Sequence, residues 1–196
     1  MAQTGDEHML VEMARRGDIA AFREIVERYK RQIYMVSFDF TGNHHDAEDI
    51  LQDVLIKAYR SLKSFRGDSR LRTWLHRITI NTCVDRKRRL ALPTTSSEEI
   101  ADFSERFATA DPGSNPEKSA EAARIQKHIQ DALGKLTPLE RSVFILRNYN
   151  QLQIKEVAEV LDRSEGTVKN MLWRALKKLQ KELAFYRKEL GLEANQ

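Results

Sequence analysis

The sequence predicts an all-α protein made of two small helical domains joined by a flexible acidic linker. Three observations carry that expectation. Apolar residues recur at helical spacing through both ends of the chain, no strand-like alternation persists anywhere, and the stretch between the ends combines acidic charge with proline. The chain has 196 residues, with 33 Lys and Arg against 29 Asp and Glu. That length suits one domain or two small ones. Residues 1–90 hold 17 basic and 13 acidic residues, a net +4, and residues 120–196 hold 14 and 10, again +4. Residues 91–119 hold 2 basic and 6 acidic residues, a net −4, and three of the four prolines, Pro93, Pro112 and Pro116. The domains are therefore expected at 1–90 and 120–196, with 91–119 as the tether.

In the first domain Phe22, Ile25, Val26, Tyr29, Ile33 and Val36 follow the 3.6 period, and Gly42-Asn43 breaks that helix. A second helix carries Ala47, Ile50, Leu51, Val54, Leu55, Ala58 and Leu62 as one apolar stripe, with Asp46, Glu48 and Asp49 in the first turn, where negative charge suits the helix dipole. The break Phe65-Arg66-Gly67-Asp68-Ser69 leads to a third helix. It turns Leu71, Trp74, Leu75 and Ile78 inward and ends in Arg86-Lys87-Arg88-Arg89. In the linker, Ile100, Phe103 and Phe107 have the spacing of a short helical turn. The second domain has a capping box at Thr137-Pro138-Leu139-Glu140, opening a helix to about Asn148. Next come Ile154, Val157, Ala158 and Leu161, the break Asp162-Arg163-Ser164, and Val168, Met171, Leu172, Ala175, Leu176 and Leu179. Helix, tight turn and longer helix is the helix-turn-helix layout.

Placed at 100° intervals, the last helix leaves Gly166, Asn170, Trp173, Arg174 and Lys177 outward, flanked by Thr167 and Lys169. Asn can bond an adenine edge, Arg and Lys can take phosphate or guanine, and the helix start behind Ser164 can support a phosphate. The alternative is an ordinary solvated face through Arg174, Lys177, Lys178 and Lys181; an outward Trp173 argues for a partner surface. Leu172, Leu176, Leu179, Leu183, Tyr186 and Leu190 continue as a seam, read as packing within the domain with a marginal extension.

Other chemistries are disfavoured. Cys83 is the single cysteine, so a disulfide scaffold is excluded. The five histidines are scattered, with His44-His45 expected as surface turn residues, and no zinc motif, P-loop or nucleophile elbow is present. No metal, cofactor or catalytic residue is expected. Apolar runs such as Val143-Phe144-Ile145-Leu146 fall far short of the roughly 20 residues of a membrane span, and the N-terminus lacks a signal peptide's apolar core. A cytoplasmic protein without membrane insertion is the expectation.

Four stretches together resemble the extracytoplasmic-function sigma factors of bacterial RNA polymerase. They are Asp18-Ile-Ala-Ala-Phe22 with Tyr29; Gly42-Asn43 leading to Asp46-Ala-Glu-Asp-Ile-Leu-Gln-Asp53; Ser64-Phe-Arg-Gly-Asp-Ser69 leading to Thr73-Trp-Leu-His-Arg-Ile78 with Asn81 and Asp85; and Ile154-Lys-Glu-Val-Ala-Glu-Val-Leu161 leading to Gly166-Thr-Val-Lys169. Their order spans most of residues 18–181. The resemblance implies a sigma region two bundle over 1–90 and a region four helix-turn-helix over 120–196. It implies that Asp49, Gln52 and Asp53 dock on the clamp helices of core RNA polymerase. It implies that the stretch from Phe65 to Arg72, with Arg66, Gly67, Asp68 and Ser69, captures an unstacked minus-ten base, with Asn81 nearby; Arg66, Arg70, Arg72 and Arg77 can track phosphates, and Asn81, spaced beside the apolar face, also suits a structural hydrogen bond. Ser164, Thr167, Lys169, Asn170, Trp173, Arg174 and Lys177 would read the minus-thirty-five duplex. Binding energy alone would then open the strands, since extruding a base costs a few kcal/mol. Implied partners are core polymerase, promoter DNA in duplex and single-stranded form, and an anti-sigma factor. This chain departs from the family pattern at Met171 and Leu176, where basic residues are common, and at Trp173, usually His or another polar residue; its target sequence is its own.

The residues also admit two other classes. One is a helix-turn-helix transcriptional regulator whose N-terminal module senses a ligand or phosphorylation; such a module is usually α/β, and residues 1–90 show no strand pattern. The other is an enzyme acting on nucleic acid, which the scattered histidines disfavour.

Overall fold

The computed structural model describes residues 2–90 and 116–189, and every regular element among them is helical. The linker turn expected at Ile100, Phe103 and Phe107 lies outside the described residues. The chain divides into two compact units, Met1–Leu92 with Ala158–Asp162 and Pro93–Val157 with Arg163–Gln196.

The first unit opens with α1 (Ala2–Arg15), which the apolar pattern did not announce. Helix α2 (Ile19–Thr41) starts where Asp18 caps it, its Oδ1 accepting from the N–H groups of Ala20 at 2.8 Å and Ala21 at 3.1 Å. It stops at Gly42, whose φ of +77° is costly for any residue with a Cβ and whose N–H closes the helix onto the Phe38 carbonyl at 2.7 Å. Asn43 then caps α3 (His44–Ser61), accepting from the Asp46 N–H at 3.0 Å. A 3₁₀ turn, Leu62–Ser64, follows, and α4 (Leu71–Leu90) completes the bundle. Helix α2 packs on α1, α3 and α4, and α3 packs on α4.

The expected apolar stripes form the core. Ile25, Ile33, Val36, Phe38 and Phe40 of α2 meet Ile50, Val54 and Ala58 of α3 and Leu71, Leu75, Ile80 and Cys83 of α4, all buried. Helix α4 buries more of its circumference than its apolar residues predicted, because Thr79 and Thr82 are also inside. Their hydroxyls donate to the Leu75 and Ile78 carbonyls at 2.8 Å, which removes the cost of burying them. Lys57 Nζ also donates to Thr82 Oγ1, at 2.9 Å. His44 departs from the surface position expected of it. It is half-buried in the first turn of α3, its Nδ1 hydrogen-bonded with the Tyr34 hydroxyl and its ring 4.6 Å from that of Phe38.

The second unit contains α5 (Pro116–Gly134), α6 (Pro138–Phe144), α8 (Glu165–Glu182) and α9 (Ala184–Glu189); the short α7 (Ile154–Leu161) precedes α8 in the chain, and its residues from Ala158 onward group with the first unit. Ala132, Leu133 and Leu136 pack with Ala175 and Leu179, and Ile129, Phe144 and Leu183 lie against them. The capping box at Thr137 is present: its Oγ1 accepts from the Glu140 N–H at 3.3 Å, and Glu140 Oε2 accepts from the Thr137 N–H at 2.9 Å. The helix expected to run to Asn148 is α-helical only to Phe144. It then widens into a π-helical turn, Ile145–Tyr149, in which the Asn150 N–H bonds the Ile145 carbonyl at 3.1 Å.

The same Glu140 oxygen also accepts from Lys178 Nζ at 2.6 Å, so α8 is tied to the cap of α6. Burial alone would push the Glu140 carboxyl up. The bonds from Lys178 and Thr137 outweigh that effect and hold it below the ordinary carboxylate value. A folded value below the unfolded one stabilises fully above about pH 4.5, and that contribution is lost as pH falls through the folded value. Glu140→Gln is therefore expected to lower the melting temperature at neutral pH, with the gap to the native chain closing as pH is lowered from about 5 toward 3. A gap independent of pH in thermal melts across that range would contradict the pairing.

Candidate nucleic-acid interface

The break between α3 and α4 is built around one buried side chain. Phe65 is 7% exposed, its ring 5.1 Å from that of half-buried Trp74, and its N–H closes the 3₁₀ turn onto Leu62 at 3.0 Å. With Phe65 turned inward, Arg66, Gly67, Asp68 and Arg70 are exposed and Ser69 is half-buried. Gly67 has φ of +80° with open space around it, so the turn excludes a Cβ by backbone conformation and not by crowding. Residues 65–71 form one wall of a cavity of about 350 Å³, and the opposite wall is α1, through Glu7, His8, Val11, Glu12 and Arg15. Small-molecule sites begin at about this volume. The sequence-predicted capture loop thus lies against a helix that sequence reasoning did not connect with it. Apolar Leu10, Val11 and Ala14 were the available signal. On α4, Arg72 is half-buried while Arg77 and Asn81 are exposed.

The predicted docking residues of α3 separate into two kinds. Gln52 and Asp53 are exposed. Asp49 instead accepts from Arg86 at 2.9 Å, and the same guanidinium reaches Asp46 at 2.9 Å through Nε and 2.5 Å through its second nitrogen. This pairing crosses from α3 to α4. Burial alone would lower the Arg86 pKa, and the bonds it donates to Asp46 and Asp49 overcome that and raise it. Asp49 is thus half-occupied in holding the bundle together.

In the second unit Ser164 caps α8, its Oγ accepting from the Thr167 N–H at 3.2 Å and sharing a 2.9 Å hydrogen bond with the Thr167 hydroxyl. Asn170, Trp173, Arg174 and Lys177 are all exposed, at spacings of 3, 1 and 3 that make one stripe. Trp173 is 62% exposed, and Lys177 Nζ lies 5.8 Å from its ring centroid. Lys169 is exposed and pairs loosely with Glu165 at 3.9 Å. Two expectations change. Lys178, grouped with the solvated basic face, points to Glu140; Leu176, expected inward, is 46% exposed. The leucine seam is interrupted at Leu183, where α8 ends, and Leu190 lies outside the described residues. Among the described residues, no three His, Cys, Asp or Glu side chains converge as a metal site requires, and no helix is long and apolar enough to cross a membrane.

Comparison with known proteins gives these surfaces a context. Residues 25–92 match Sigma-70 region 2 and residues 126–179 match Sigma-70 region 4. The chain is 32% identical to the ECF RNA polymerase sigma factor SigW of Bacillus subtilis over 88% of its own length and 94% of SigW. This chain belongs to the ECF RNA polymerase sigma factors. It is also 33% identical to the RNA polymerase sigma-H factor of Pseudomonas aeruginosa, over 90% of this chain and 93% of that one. Among solved structures, CnrH in complex with the cytosolic domain of CnrY matches with TM-score 0.64 and 27% identity, over 91% of this chain and 97% of that one. A sigma factor directs transcription initiation by binding core polymerase and promoter DNA. In a sigma factor of this layout the loop after α3 lies in region 2 and the exposed stripe of α8 in region 4.

Because one ring pins the loop, removing it has a local signature. Phe65→Ala is expected to cost about 3 kcal/mol in urea unfolding and to speed amide exchange at residues 66–70. A cost under about 1 kcal/mol with unchanged exchange would show that the loop holds its shape without that side chain.

Proposed function

We propose that the two units act as successive contacts of one promoter-specificity subunit, dividing as 1–90, a tether over 91–119, and 120–196. The observation that carries this reading is the match to regions 2 and 4, in that order, on units that each expose a suitable surface. Exposed Gln52 and Asp53 dock the factor on basic groups of core RNA polymerase, with Asp49 contributing from its pairing with Arg86. The loop from Arg66 to Ser69 takes an unstacked minus-ten base into its cavity, while Arg72, Arg77 and Asn81 track the strand leaving it. Phe65 holds that loop in place rather than touching the base.

Asn170 and Arg174 meet base edges of the minus-thirty-five duplex, and Lys169, Lys177 and the capped start of α8 at Ser164 and Thr167 take phosphates. Trp173 supplies a flat apolar contact beside them. The chain contributes binding and not catalysis, acting in the cytoplasm where polymerase acts. A protein partner that masks it, an anti-sigma factor, is part of the proposal; CnrH is solved with the cytosolic domain of CnrY. The regulator reading loses its ground because region 2 occupies the place of a sensing module.

Two outcomes are expected. Replacing Gln52 and Asp53 together by Ala lowers core-polymerase affinity at least about fivefold without changing the melting temperature, and unchanged affinity in a quantitative pull-down would contradict the docking assignment. Lys177→Ala weakens duplex binding on all sequences and lowers the salt slope by about 1, whereas Asn170→Ala costs about 1–3 kcal/mol at one base pair. A Lys177 effect confined to one base pair would contradict its phosphate role.

A further inference from the structure

The cavity between α1 and the loop has two chemically different walls. The α1 wall is lined by Glu7 and Glu12 together with His8 and Arg15, two carboxylates to one guanidinium; the loop wall is lined by Arg66 and Arg70 together with Asp68 and Ser69, two guanidiniums to one carboxylate. The two carboxylates are held in place by the first unit itself. Glu7 Oε2 accepts from the Tyr29 hydroxyl of α2, and Glu12 Oε1 accepts from Arg15 at 2.6 Å. Burial first, and then the bond to Glu7, pushes the Tyr29 phenol above its ordinary value, so it stays a donor to that carboxylate. Asp6 and Arg28, 2.9 Å apart, add a second tie between α1 and α2 just outside the cavity. Helix α1 is therefore a fixed wall. A carboxylate has about four acceptor positions, so each keeps acceptor capacity after these bonds.

Charge sorts what can enter. Arg15 offsets Glu12 on the α1 wall and Asp68 offsets one arginine on the loop wall, which leaves α1 net negative and the loop net positive, so a nucleotide enters with its phosphate toward Arg66 and Arg70 and its base edge toward α1. At that edge, ionised carboxylates can only accept. Adenine, cytosine and guanine offer exocyclic amino groups there, whereas thymine sets two carbonyl acceptors around a single N–H. We propose that Glu7 and Glu12 of α1 form the specificity wall of this cavity and select a base bearing an exocyclic amine against thymine. The inference rests on the loop's capture of an unstacked base, and it adds to that loop a second element and a chemical class of ligand.

The probe is a labelled oligothymidylate carrying a single dA, dC or dG, titrated by fluorescence anisotropy against the full chain bound to core polymerase. The register-free background makes the single amino base the only base that differs from strand to strand. A strand with an amino base is expected to bind about tenfold tighter than the all-thymine strand, the value of one good base contact. Glu7→Gln and Glu12→Gln, each still able to accept from its present partner, are expected to shrink that preference severalfold in samples that stay folded at the assay temperature. Equal binding of the all-thymine strand, or a preference that survives both replacements, overturns the assignment of α1. Arg66→Ala separates the two layers of the argument. If it weakens every strand alike while the glutamate variants change nothing, capture by the loop stands and the α1 wall falls. If neither it nor the base identity alters binding, base capture fails and the inference fails with it.

Discussion

The chain between Ser64 and Leu71 forms no regular element past its 3₁₀ turn, and the burial of Phe65 against Trp74 is what gives it a shape. Ordering a backbone costs about 1–2 kcal/mol per residue, and a loop of exposed polar residues has little to set against that. One aromatic side chain with most of its surface removed from water offsets part of it and fixes which residues face outward. Gly67 then reverses the chain at a positive φ, and Arg66, Asp68 and Arg70 project around it. The cavity exists because that anchored loop faces α1.

The polar side chains of both units divide between holding the fold and facing outward, and the division decides which of them are available to a partner. Arg86 draws in Asp46 and Asp49, and Glu140 draws in Lys178, so these five charges are committed to the fold. Gln52 and Asp53 on α3, and Asn170, Arg174 and Lys177 on α8, remain exposed. Such partly exposed pairs stabilise modestly, but removing Lys178 strands the Glu140 carboxylate, 9% exposed, where water reaches it poorly. Substitution of a committed charge therefore changes folding and binding together, whereas the exposed set reports on binding alone.

Much of this was legible in the sequence because helices advertise themselves twice, by apolar period and by caps. Asp18, Gly42-Asn43, Thr137-Pro138-Leu139-Glu140 and Ser164 mark their helix boundaries as the residue types predict. Helix α1 was missed because its inward face is only Leu10, Val11 and Ala14, too short a stripe to rise above its polar neighbours. The π-helical turn after Phe144 has no residue signal, since its i+5 bonding fits the same apolar spacing over one turn. The inward reach of Asp49 and Lys178 was invisible for another reason: periodicity assigns a face, and a long or edge-placed charged side chain can leave its face for a partner on the next helix.

The most direct test of the chain as an initiation factor is reconstituted transcription: purified core RNA polymerase, the full chain and a pool of genomic promoter fragments, with transcript starts sequenced. Starts that depend on the added chain, each preceded by shared elements near minus ten and minus thirty-five, are the expected result. A folded chain that neither binds core polymerase nor yields any dependent start would contradict the assignment of both units.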